Sequence, residues 1–136
     1  MSNYSIARIE GIGPAYTEKL AAAGIKTTGT LLQRAKDPKG RKAVASETGL
    51  QERQILKWAN MADLMRVRGV GEEYSELLEA AGVDTVKELR NRKAANLAEK
   101  MAEVNGQKKL VRLVPSEKRV ETWVAHAKSL TPMMTY

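Results

Sequence analysis

The sequence predicts an all-α protein made of two similar helical units that share a long central helix. Alanine, leucine, lysine and glutamate dominate the 136 residues and only four are proline, a composition that favours helix. Apolar residues recur at spacings of three and four, the period of one helical face. The chain also aligns with itself. Residues 9–31, IEGIGPAYTEKLAAAGIKTTGTL, match residues 67–89, VRGVGEEYSELLEAAGVDTVKEL, at an offset of 58 with 10 of 23 positions identical. A weaker match pairs GLQERQILKWANMA (49–62) with VPSEKRVETWVAHA (114–127) at an offset of 65. The difference of seven places an insertion near 105–113 in the second unit. The units are then 1–63 and 64–130, followed by a loose tail over 131–136.

Taken in order, Ile6 and Ile9 stand at helical spacing ahead of Gly11-Ile12-Gly13, which is too short for a strand. Pro14 suits a first helical turn. Tyr16, Leu20 and Ala23 then line one face, and Gly24 ends that helix. Thr27 or Thr28 caps the next, which carries Leu31 and Leu32. Asp37-Pro38 breaks the chain, and a further helix runs to Thr48 before Gly49. A helix over 51–67 puts Ile55, Trp58, Ala62 and Met65 on one stripe, closing the first unit and opening the second. Helices follow near 72–81, 85–91, 94–104 and 116–129. Thr85 with Glu88 fits a capping box, and Ser116 starts the last helix. No segment reads as a strand.

Composition removes several classes of function. Without cysteine there is no disulfide framework, thiol nucleophile or cysteine-based zinc site, and one histidine cannot form a histidine cluster. No apolar run is long enough for a membrane helix, and no leader is visible, so a soluble cytoplasmic protein is expected. No P-loop, metal spacing or acid–base–nucleophile set is present; no catalytic residue, metal or cofactor is expected, and the protein reads as a non-enzyme. Trp58 and Trp123 read as core anchors, Tyr16 and Tyr74 as packed between helices, and His126 as an ordinary helical histidine.

The net charge of +7 suggests an anionic partner, though spread over 136 residues it is a modest bias. Arg34, Lys36, Lys39, Arg41 and Lys42 form one basic cluster. Lys87, Arg90, Arg92, Lys93, Lys100, Lys108, Lys109 and Arg112 form another.

Ile9-Glu10-Gly11-Ile12-Gly13 with Leu20, and Val67-Arg68-Gly69-Val70-Gly71 with Leu78, resemble the helix-hairpin-helix motif. Nearly the whole chain is similar to tandem helix-hairpin-helix domains of a bacterial family of unassigned function. The resemblance implies that the backbone at Gly11, Ile12, Gly13, Gly69, Val70 and Gly71 approaches phosphates of duplex DNA, helped by helix dipoles. The candidate cations are Arg66, Arg68, Lys39, Arg41, Lys42, Arg92, Lys93, Lys108 and Lys109. The sequence departs from that pattern at Glu10, Pro14, Glu72 and Glu73, which put acids at the hairpins and delete one amide. Two expectations therefore stand. One is a module that binds the nucleic-acid backbone without sequence preference. The other is a protein-interaction or self-association module whose glycines only permit a tight turn.

Overall fold

Caps and breakers in the sequence mark the helix ends. The computed structural model describes residues 3–136, which fold as eight α-helices and one short 3-10 turn, with no strand among the described residues. The helices are α1 Pro14–Ala22, α2 Thr28–Ala35, α3 Pro38–Thr48, α4 Glu52–Leu64, α5 Glu72–Ala80, α6 Val86–Leu89, α7 Ala94–Lys108 and α8 Glu117–Ser129. Thr27 Oγ1 accepts from the Thr30 amide at 3.2 Å, Asp37 Oδ1 from the Gly40 amide at 2.7 Å and Ser116 Oγ from the Arg119 amide at 3.1 Å. Each satisfies a donor that the first helical turn leaves unpaired.

Three elements differ from expectation. The helix around Ile6 and Ile9 is only a 3-10 turn, Ile6–Arg8. The Ile6 amide donates to Lys26 O at 2.9 Å and the Thr28 amide to Tyr4 O at 2.8 Å, so this stretch lies extended beside 26–28 and cannot wind further back. Helix α7 continues through Asn105-Gly106 to Lys108, then stops at Lys109, the one non-glycine residue with positive φ (52°) among those described. The 131–136 segment is a strap rather than a loose tail. Met134 is buried in the core, and the Thr135 amide donates to Lys36 O at 2.8 Å.

Two apolar clusters make the core. The first gathers Ile6, Ile9, Ile12, Leu20, Leu31, Ile55, Trp58 and Met61, with Met134 from the strap. The second gathers Leu64, Val67, Val70, Leu77, Leu78, Met101, Val120 and Trp123. Helix α4 feeds both: Ile55, Trp58, Ala59, Met61 and Ala62 join the first cluster and Leu64 the second. Asp63 lies at this junction, 1% exposed. Its Oδ1 accepts from Arg66 Nη1 at 2.7 Å and its Oδ2 from the Val86 amide at 2.9 Å. Thr85 Oγ1 accepts from the Glu88 amide at 3.4 Å, so α6 receives one cap oxygen from its own sequence and one from α4.

Positions paired in the sequence share local geometry. Tyr16 packs on Trp58 and Tyr74 on Trp123, each with ring centroids 5.2 Å apart and planes tilted by 56° and 54°. Gln54 Nε2 donates to Tyr16 Oη at 3.3 Å, and Arg119 Nη1, at the aligned position, donates to Tyr74 Oη at 3.2 Å.

Candidate functional site

The site is built on the two glycine turns that precede α1 and α5. Gly11 and Gly69 take φ of +94° and +87°, which favours glycine. A Cβ at Gly69 would stand 3.2 Å from Trp123 Nε1, and one at Gly11 would stand 3.6 Å from Trp58 Nε1. The buried indoles thus lie directly against the turns. Ile12 and Val70 point into the two cores. Their amides are also spent internally, on Ile9 O at 3.1 Å and Val67 O at 3.0 Å. Gly13 and Gly71 stand at the N-termini of α1 and α5 with nothing within 4 Å of a Cβ built there. Among the described residues, the amides of Gly11, Gly13, Gly69 and Gly71 take no backbone partner.

The two turns are neighbours. Arg8 Nε donates to Glu72 Oε2 at 2.8 Å, joining the 3-10 turn to the start of α5. One shallow groove is lined by residues 7–13 together with Glu72. The adjoining one is lined by Arg8, Gly69, Gly71, Glu72, Glu73 and Tyr74. Sequence reading missed Arg8. Its partner at an offset of 58 is Arg66, which has a different fate, so the repeat carried no signal for it.

Two of the expected surface cations are not on the surface. Arg66 is 7% exposed and is spent on Asp63 and, through Nη2, on Thr131 O at 2.8 Å. Arg41 is 6% exposed and donates to Ala35 O at 3.0 Å and Thr135 O at 2.8 Å. In both cases the strap supplies an acceptor that draws the guanidinium inward. Arg68 is exposed at the second turn, where its amide donates to His126 Nδ1 at 2.9 Å. Lys39 and Lys42 are exposed on α3, and Arg92 and Lys93 lie at the start of α7. None of these four lines either groove at the turns. Lys108 and Lys109 are exposed at the end of α7, and Lys108 joins Lys57, Glu76 and Glu79 around a hollow beside α5.

Acids crowd the back of the turns. Burial raises the Glu76 carboxyl above the ordinary carboxylate range, helped by Glu10 and Glu79 and opposed by Lys57 and Lys108. Among the described residues no cluster of His, Asp or Glu is arranged to hold a metal ion, and no helix is long and apolar enough to cross a membrane.

The family model for a domain of unknown function (DUF4332) matches residues 10–130, which takes in both turns and every helix. The chain belongs to that family. No curated protein and no solved structure shows significant similarity to it.

Proposed function

We propose that the protein is a non-enzymatic module that grips the backbone of duplex DNA without sequence preference, using the two glycine turns as tandem helix-hairpin-helix elements. The observation that carries this reading is their placement side by side across the Arg8–Glu72 ion pair. Each offers glycine amides and the positive end of a following helix. Arg68 supplies positive charge at the second turn, and Lys108, Lys109 and the remaining exposed lysines supply a longer-range field. Contacts of this kind hold a duplex in register and read no bases.

Fluorescence anisotropy of a short labelled duplex, titrated from about 50 mM salt upward, tests the reading. Affinity is expected to fall steeply as salt rises. Arg68→Glu weakens binding, and Glu73→Gln, which leaves the Arg8–Glu72 ion pair in place, tightens it about twofold to fivefold by removing like charge from a helix N-terminus. Absence of binding at the lowest salt overturns it.

The carboxylates of Glu10, Glu72 and Glu73 at the turns favour a second reading, a protein-interaction or self-association module indifferent to DNA. It predicts a discrete oligomer in sedimentation velocity and no anisotropy change with duplex.

A further inference from the structure

The inserted loop of the second unit presents one leucine outward from a rigid frame. Leu113 is 70% exposed; the other large apolar side chain left out among the described residues is Tyr136, whose hydroxyl donates to Asn60 Oδ1 at 2.9 Å. A lone surface leucine is ordinary. Leu113 is set apart by what holds its backbone. Asn105 Nδ2 donates to Val111 O at 3.0 Å, and the Val111 amide donates back to Asn105 Oδ1 at 2.9 Å. Val111 and Pro115 are buried on either side, and Tyr74 Oη donates to Leu113 O at 2.9 Å. The loop is therefore pinned at both ends and at its tip, and ordering it costs nothing further on binding.

The charge around Leu113 favours an anionic partner. Tyr74 lines the groove that holds Gly69 and Gly71, so Leu113 stands one tyrosine side chain from the second turn. Lys108, Lys109, Arg112, Lys118 and Arg119 are exposed between positions 108 and 119, where Glu117 is the single acid; in space, Glu73 borders the Tyr74 groove and Glu76 and Glu79 face Lys108 alone of these five. An apolar side chain framed by cations fits a nucleic-acid duplex, where phosphates border a groove and stacked bases form its floor. The first unit lacks this loop, so the device occurs once.

We propose that Leu113 is a wedge that enters the minor groove and partly unstacks one base step while the neighbouring cations hold the flanking phosphates. Such wedges spend stacking energy and gain a bent duplex that covers more protein surface. The proposal rests on the duplex-binding reading above.

The test uses a duplex containing 2-aminopurine, whose fluorescence rises on unstacking, together with anisotropy on the same duplex. The wild type is expected to raise the fluorescence at saturation. Leu113→Ala should bind about tenfold more weakly, the value of an exposed leucine newly buried, and abolish the rise. Leu113→Phe should keep it. Circular dichroism of the alanine variant should match the wild type, because the side chain is 70% exposed and belongs to neither core cluster. Wild-type binding without a fluorescence rise at any labelled step, or an equal rise with Leu113→Ala, overturns the wedge and leaves backbone binding intact. Absence of duplex binding at low salt overturns both. Self-association of the wild type that Leu113→Ala abolishes assigns the leucine to a second copy of the chain and overturns the wedge.

Discussion

Gly69 and Gly71 are two residues apart and tolerate a methyl group very differently. Gly69 sits at φ +87° against Trp123, whereas Gly71 has φ −98° and open space around it. Gly69→Ala should lower stability by about 1–3 kcal/mol, through backbone strain and a displaced indole. Gly71→Ala should cost about 1 kcal/mol or less. Urea denaturation compares the two, and equal losses would remove the distinction. Both glycines were legible in the sequence, because the repeat sets Gly11 beside Gly69 and Gly13 beside Gly71. The burial of Arg41 and Arg66 was not. The pattern of charges along a chain says nothing of a backbone carbonyl 94 or 65 residues away that turns a cation inward.

At the scale of elements, the strap carries the largest departure from expectation. The segment TPMMTY has no period and no cap, so nothing in it announces structure. Its hold comes from partners elsewhere: the apolar cluster that receives Met134, the Lys36 carbonyl, and two buried arginines that need acceptors. Removing 131–136 should lower stability by about 3 kcal/mol or more, since it exposes a methionine site and strips both guanidinium groups of a charged hydrogen bond. Thr135→Ala should cost little, because Arg41 binds the carbonyl rather than the side chain. Thermal unfolding of the two variants separates these outcomes, and a truncated chain as stable as the full one would show that the strap contributes nothing.

For the whole molecule, the decisive residue is Asp63. It is nearly inaccessible, ties α4 to α6 directly, and through Arg66 reaches the strap. Asp63→Ala leaves a buried guanidinium without its counter-charge and the Val86 amide without an acceptor. A loss of about 3–5 kcal/mol is expected. Because the two apolar clusters meet at α4, the wild type should unfold in one transition. Calorimetry of the variant should show a broadened or divided transition if Asp63 is what couples them.

The sequence by itself determined the all-α class, most helix boundaries and the pairing of Tyr16 with Tyr74 and of Trp58 with Trp123. These follow from local rules, because caps, breakers and apolar period act within a few residues. Tertiary structure alone decided that the two glycine turns lie together across Arg8 and Glu72, that two arginines face inward, and that the last residues strap the first core. Those outcomes depend on groups distant in the chain meeting in space. There, the need of a buried charge or amide for a partner outweighs what its neighbours in sequence would suggest.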